Sequence, residues 1–284
     1  MNYLYALAFI VLAPLVGGLI AGVDRKITAR MQGRVGPPLL QPFYDLGKLL
    51  EKEHVVDALS QNYFVLGYLV FNLFAGALFF AGGDILLVVF SLTLADVLLV
   101  LGAYAATSPY SFVGAERELV QLMAYEPMVI LAAVGFYIAT GSFFVSDIAA
   151  FPRPLIVLLP GLFIGLFYVL TMKLRKSPFD ISTSHHAHQE IVKGVTTEFS
   201  GSTLGMIELA HWYETVFLLG LFWLYFAWSP VIAAIAVVII YLAEIFIDNA
   251  TARVKWGFAL RSIWAVTLVL SALNIAVLQY FGGY

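Results

Sequence analysis

Eight long apolar runs constrain the fold of this chain more than any other feature of its sequence. A helix needs roughly 20 residues, at 1.5 Å each, to cross a hydrocarbon layer of about 30 Å. Only 12% of the 284 residues are charged, about half the share of a typical soluble domain. The sequence therefore predicts an all-α integral membrane protein with about eight transmembrane helices in a single domain, residues 1–284. The runs lie at approximately 3–23, 63–82, 85–105, 119–140, 155–172, 204–228, 230–248 and 259–281.

Lysine and arginine fall almost entirely on one side of this map. Of the 15 cations, only Arg153 lies on the opposite side. Short cytoplasmic loops collect Lys and Arg, so the basic side is predicted to be cytoplasmic. This places both termini outside the cell membrane and puts two long loops, about 24–62 and 173–203, in the cytoplasm. The outer loops are short, so we expect the working face to be the inner one.

Several classes of function are excluded or disfavoured by composition. Cysteine is absent, so the chain holds no disulfide and no thiolate-bound cluster. A membrane haem needs axial ligands from helices, and only His211 among the histidines lies in a predicted span. A net charge of −3 and the lack of a glycine-rich phosphate loop favour neither nucleic acid nor nucleotide. We therefore expect no cofactor in this chain.

The first long loop carries a predicted amphipathic helix. Glycine and proline prevent a helix before about Leu39. Apolar residues then recur at helical spacing against charged ones. Such a helix serves either as an anchor at the membrane surface or as a docking wall for a cytoplasmic subunit. The apolar positions are Phe43, Leu46, Leu49 and Leu50, and the charged ones are Asp45, Lys48, Glu51 and Lys52.

The second long loop is rich in groups that bind protons. A metal site built from His185, His188 and Glu190 matches no standard spacing of ligands. Proton handling and a plain hydrogen-bonded polar loop both remain open. The titratable side chains are Asp180, His185, His186, His188, Glu190 and Glu198.

Acidic side chains also lie inside the predicted spans, where a charge at the helix centre costs about 2.5–3.5 kcal/mol. Glu208, His211 and Glu214 are spaced by three residues and occupy an arc of roughly 120° on one side of their helix, so they can line one path. The same four spans hold no Lys or Arg, so we expect the carboxylates to be hydrated or to share protons. Any single one could instead bind helices together by hydrogen bonds. The set is Asp96, Glu126, Glu208, His211, Glu214 and Glu244, with Asp248 beside it.

Motifs in both loops and one span are similar to the membrane subunit of respiratory complex I that forms the quinone chamber, and to its relatives in membrane-bound hydrogenases. The motifs are Arg34-Val35-Gly36-Pro37, Gln41-Pro42 with Asp45 and Lys48, Tyr125-Glu126, Ser177-Pro178-Phe179-Asp180, and the stretch 189–201.

The resemblance implies eight or nine spanning helices and a cytoplasmic redox arm that docks on these two loops. It assigns coupling roles to Glu126, Asp180, Glu190 and Glu198. Docking is expected at Arg34, Pro37, Gln41, Asp45, Lys48, Asp180, His185, His186 and His188.

Departures from the quinone type narrow the choice. Residues 173–177 read Lys-Leu-Arg-Lys-Ser, where quinone subunits carry an acidic lead with Asn and Arg. The histidine run 185–188 resembles energy-converting hydrogenases of the Ech type. His211 stands where a further carboxylate is expected, and Glu208 or Glu214 could replace it.

The resemblance therefore predicts a membrane subunit of a ferredoxin-linked energy-converting hydrogenase that moves protons or sodium ions. It implies a nickel-iron centre and iron–sulfur clusters in the partners, not in this chain. The partners would be the large and small hydrogenase subunits, a polyferredoxin-type iron–sulfur subunit and an antiporter-like membrane subunit, with ferredoxin as electron donor. The alternatives are the quinone-chamber subunit of a complex I-like dehydrogenase and a free-standing secondary transporter.

Overall fold

A computed structural model describes residues 2–52, 59–182 and 193–281. The described ranges are predominantly helical, and a π-helical turn at Thr267–Ser271 joins the last two helices. The helices are α1 (Tyr3–Met31), α2 (Gln41–Glu51), α3 (Leu59–Phe80), α4 (Ile85–Tyr104), α5 (Pro109–Thr140), α6 (Val145–Ala149), α7 (Leu155–Leu158), α8 (Pro160–Lys173), α9 (Gly201–Leu224), α10 (Pro230–Ala250), α11 (Trp256–Val266) and α12 (Ala272–Phe281).

The all-α membrane fold is confirmed, but the count of eight spans needs correction. Within the described ranges, six helical segments are long and apolar enough to cross a membrane: α1, α3, α4, α5, α10 and the joined α11–α12. The predicted run 155–172 is broken between α7 and α8, and the 14 residues of α8 reach only about 21 Å. The run 204–228 is α9, which is long enough at 24 residues but carries polar side chains that lower its hydropathy.

Two helices extend beyond the predicted runs. α1 continues to Met31 instead of ending near residue 23, so the first long loop starts later than residue 24. α5 begins at Pro109, ten residues before the predicted start of its run. The extension brings Glu116, Arg117 and Glu118 into the helix, where they were predicted to lie in or beside a loop.

α9 lies at the centre of the bundle. It packs against α1, α2, α3 and α10. Its aromatic residues are buried in the core, with Phe217 and Phe222 at most 2% exposed. Because protein rather than lipid surrounds much of α9, this helix tolerates polar residues that would be costly against lipid.

The break between α7 and α8 is stabilised by one side chain from α12. The Asn274 side-chain oxygen accepts hydrogen bonds from the backbone N–H groups of Gly161 and Leu162, at 2.8 and 3.2 Å. Its amide nitrogen donates to the carbonyl of Leu158 at 3.0 Å. Backbone groups that are left unpaired inside a bilayer cost several kcal/mol each, so Asn274 makes the break tolerable.

The amphipathic helix predicted in the first loop is α2, and it packs on the bundle. A Cβ on Gly22 of α1 would overlap the carbonyl oxygen of Leu39, so the absence of a side chain allows this close approach. Phe43 of α2 makes an edge contact with Trp212 of α9, with 5.2 Å between ring centroids. The apolar face of α2 is therefore covered in part by its own chain, whereas Lys48 is exposed.

Candidate functional site

The basic run 173–176 turns into the bundle instead of facing solvent. Sequence patterning predicts these residues on the cytoplasmic surface. In the structure Arg175 and Lys176 are 9% and 8% exposed. Three buried cations thus follow directly on α8, and each meets an acidic side chain from another helix.

Lys173 neutralises two of the predicted intramembrane carboxylates. Its ammonium nitrogen lies 2.5 Å from an oxygen of Asp96 on α4 and 3.1 Å from an oxygen of Glu214 on α9. The Tyr125 hydroxyl donates to the same Asp96 oxygen at 2.7 Å. Lys173 also lies 4.4 Å from the centroid of the Tyr125 ring. Asp96 and Glu214 therefore obtain their counter-charge from a residue that is distant in sequence.

Arg175 forms the second buried pair. Its guanidinium donates to an oxygen of Glu118 at 2.8 Å, and its other terminal nitrogen contacts the His211 ring nitrogen. Glu118 was not singled out by the sequence analysis. It lies seven residues before Tyr125 and so on the same face of α5, a spacing that would have identified it had the helix start been placed correctly.

A third group of polar contacts joins the inner ends of α1 and α10. Lys176 pairs with Asp24 at 2.6 Å, and the Tyr241 hydroxyl donates to Asp24 at 3.0 Å. The backbone N–H of Ser177 donates to Asp248 at 2.8 Å. The predicted Glu244 is fully buried in the same region and accepts a hydrogen bond from Thr171 at 3.3 Å.

Asp180 is buried by its own chain. It is 3% exposed, and one of its oxygens lies 3.8 Å from the guanidinium of Arg253. The same arginine donates to the carbonyl of Ile181 at 2.9 Å. No partner subunit is therefore needed to cover Asp180, in contrast to the expectation that it contributes to docking.

Three polar cavities lie in series through the bundle. The mouth cavity, of about 980 Å³, lies at the basic end of the bundle and is lined by Asp24, Arg34, Arg175, Glu208 and His211 among others. The middle cavity, of about 150 Å³, shares Arg175, Glu208 and His211 with it and adds Lys173 and Glu214. The inner cavity, of about 20 Å³, shares Lys173 with the middle one and adds Glu126.

The predicted arc of Glu208, His211 and Glu214 therefore lines one cavity, as their spacing indicates. Glu126 lies deeper, is half-buried and accepts a hydrogen bond from Thr93. Glu198 is half-buried in the segment before α9 and does not line the three cavities as they are described. Glu190, His185, His186 and His188 lie outside the described residues.

The predicted docking residues of the first loop lie near the mouth cavity. Asp45 receives hydrogen bonds from Arg25 at 2.7 Å and Gln41 at 2.8 Å. Partial burial opposes ionisation of this carboxyl, but the hydrogen bonds and the charge of Arg25 outweigh it and lower the pKa of Asp45. Arg34 is exposed, and Pro37 is half-buried. Among the residues that the structure describes, no cluster of three or more potential metal ligands occurs.

Comparison with known proteins gives consistent matches over most of the chain. The family model described as NADH dehydrogenase matches residues 4–279. Hydrogenase-4 component C of Escherichia coli (strain K12) is 30% identical over 226 residues, which cover 74% of this chain and 69% of the relative. A membrane relative from Dehalococcoides mccartyi, named as part of NADH-quinone oxidoreductase, is 29% identical over 293 residues, which cover 92% and 81%.

A solved structure has the same fold. It is that of the membrane-bound sulfane sulfur reductase, an archaeal respiratory membrane complex. The matching chain superposes with a TM-score of 0.86 at 24% identity, covering 96% of this chain and 98% of that one.

Proposed function

Because the chain belongs to the NADH dehydrogenase family of membrane subunits, we propose that it couples a redox reaction to ion movement in a ferredoxin-linked energy-converting hydrogenase. In this proposal the chain anchors a cytoplasmic module that holds the nickel-iron centre and the iron–sulfur clusters. It transmits the energy of electron transfer to protons or sodium ions that cross the cell membrane. The module would consist of the large and small hydrogenase subunits and a polyferredoxin-type subunit, beside an antiporter-like membrane subunit.

The series of three cavities carries this proposal. It begins at the basic end of the bundle, where α2 and the loop after α8 lie, and reaches Glu126 inside the membrane. The middle cavity has room for several waters and the inner one for a single water. A chain of waters and carboxylates is what proton transfer needs, because each group accepts a proton and releases it to the next.

The charge pattern along the series agrees with this function. Glu208 lies at the boundary of the mouth and middle cavities, Glu214 lies beyond it, and Glu126 lies deepest. Buried ionisable groups in a membrane commonly mark ion pathways, since their insertion is costly unless it serves a function. Glu198 and Glu190 would act nearer to the docked module, as the resemblance implies.

The quinone-chamber subunit of a complex I-like dehydrogenase is the second candidate, and one observation favours it. An apolar cavity of about 950 Å³ between α1, α9 and α10 shares Ile20 with the mouth cavity. An apolar site that continues into a polar one fits a ligand with a long apolar tail and a polar head. The relative named as part of NADH-quinone oxidoreductase is consistent with this interpretation. The basic lead 173–177 favours the hydrogenase type instead.

Replacing acids on the route tests the coupling role. Glu126→Gln and Glu214→Gln keep size and hydrogen bonding but cannot carry a proton. Glu116→Gln on the same helix as Glu126 is the matched control, because Glu116 bonds Tyr104 at 2.8 Å and lies off the route. Ferredoxin-driven hydrogen production and ion uptake are measured in membrane vesicles, and dye-driven activity of the soluble module is measured alongside.

The expected result is loss of ion uptake in both route variants, with assembly and dye-driven activity kept, and no change in the control. If both variants assemble and take up ions at the wild-type rate, the route is wrong. If they fail to assemble, the carboxylates have a structural role instead.

Purification of the native assembly separates the candidate functions. Nickel together with several iron–sulfur clusters supports the hydrogenase. Bound quinone without nickel supports the dehydrogenase, and an isolated chain that transports ions alone supports a secondary transporter. The co-purifying chains identify the partners directly.

A further inference from the structure

Lys173 occupies a position that the route alone does not explain. It lines both the middle and the inner cavity, and no other charged side chain of the described residues does so. Any proton that passes from Glu214 to Glu126 must therefore pass its ammonium group. A fixed positive charge repels an excess proton, so Lys173 lies where it can block passage.

The ammonium group has two partners on different helices. Asp96 on α4 lies at 2.5 Å and Glu214 on α9 at 3.1 Å, and the side chain of Lys173 is 7% exposed. Tyr125 and Glu126 face it from α5, and Arg175 follows on its own segment. Of the two carboxylates, only Glu214 also lines the middle cavity, so only Glu214 receives a proton from that side directly.

The side-chain chemistry suits a moving element. A lysine ammonium is a compact charge on a flexible four-carbon stem, whereas an arginine guanidinium is a rigid planar fork. Arg175 holds Glu118 and contacts His211 with that fork and so fixes the loop. Lys173 can shift between its two partners without any movement of the backbone.

We propose that Lys173 is the gate of the route, and this inference rests on the proposed function. In the closed state both carboxylates hold the ammonium at the boundary of the two cavities. A proton that arrives on Glu214 neutralises this carboxylate, and the ammonium then moves to Asp96 alone. The proton leaves Glu214 for the carboxylate of Glu126, and Lys173 returns. Lys173 keeps its own proton throughout, so one proton moves and the charge balances.

The gate predicts a proton leak when the ammonium is removed. The whole complex is reconstituted in liposomes that contain a pH-sensitive dye, potassium and valinomycin. A pH step is imposed without electron donor, and proton entry is followed. Lys173→Met is expected to raise the passive leak at least about tenfold over the wild type, which corresponds to a barrier lower by about 1.4 kcal/mol. Lys173→Arg keeps the charge, so its leak should stay at the wild-type level while coupled transport slows.

Two further variants keep the test decisive. Lys255→Met removes an exposed cation off the route and controls for loss of charge. Lys173→Met combined with Asp96→Asn removes the gate but keeps the net charge of the trio at −1, so it guards against misfolding caused by two unpaired acids. If both gate variants assemble and leak no more than the wild type, Lys173 is not a gate.

The two proposals fail differently. A wild-type complex that moves no protons or sodium ions with ferredoxin as donor refutes the proposed function. A wild-type complex that transports ions, together with gate variants that do not leak, refutes the gate alone.

Discussion

Removing Arg175 should destabilise the subunit strongly, because it leaves Glu118 buried without its counter-charge. The two side chains are 10% and 6% exposed, and they meet at 2.8 Å. Breaking a buried ion pair by removing one partner costs about 3–5 kcal/mol. Arg175 has a left-handed backbone, with φ of 53°, but methionine pays the same conformational cost at this position, so strain does not enter the difference.

The expected shift follows from this range. For a domain of about this size, 1 kcal/mol corresponds to roughly 2–4 °C in the unfolding midpoint. Arg175→Met should therefore lower the midpoint by about 6–20 °C. The assay heats the detergent-solubilised complex and measures, by immunoblot, the temperature at which half of this subunit remains soluble.

A surface pair of similar length gives the matched control. Arg25 and Asp45 meet at 2.7 Å, but their side chains are 46% and 39% exposed. Exposed pairs contribute about 0–1 kcal/mol, so Arg25→Met should shift the midpoint by less than about 4 °C. The double variant Arg175→Met/Glu118→Met should recover most of the loss, since apolar replacement of a whole buried pair is often neutral.

The reasoning is refuted if Arg175→Met and Arg25→Met shift the midpoint equally. It is also refuted if the double variant is no more stable than Arg175→Met, because the loss would then not come from the orphaned carboxylate.

Two further predictions concern docking and topology. The chain has no cysteine, so Arg34→Cys and Lys48→Cys introduce single labelling sites, and we expect cytoplasmic subunits to protect both from a maleimide in the intact complex but not in the isolated chain. Arg153→Cys, on the opposite side, should label equally in both, and equal labelling at all three sites would argue against docking on the first loop. A reporter fused after Tyr284 should be active only outside the cell, because 14 of the 15 cations lie on the other side. Activity only in the cytoplasm would invert the map.

The membrane class and most helices could be predicted because hydropathy is a local property. The runs at 85–105 and 230–248 match α4 and α10 within a few residues. The run at 119–140 starts too late, because the first ten residues of α5 carry Glu116, Arg117 and Glu118 and lack the apolar signal of a span. α2 was identified from its periodicity, since one apolar face on a polar helix is visible in sequence.

The candidate site was predictable only in part. Helical spacing placed Glu208, His211 and Glu214 on one side of α9, and they line one cavity. Glu118, Lys173 and Arg175 were missed as members, because each was assigned to a loop or to the membrane surface. Their partners lie 57, 77 and 41 residues away in the chain, in the pairs Glu118–Arg175, Asp96–Lys173 and Lys173–Glu214.

The sequence by itself determined that the chain enters a membrane, on which side its cations lie and which acids must be buried. These conclusions follow from the cost of moving each residue from water to lipid, a sum that does not depend on where other residues are. Only the tertiary structure decided that the basic run after α8 turns inward to Asp96, Glu118 and Glu214. The reason is physical: pairing of charges depends on distance, and packing of α4, α5 and α9 around the end of α8 sets those distances.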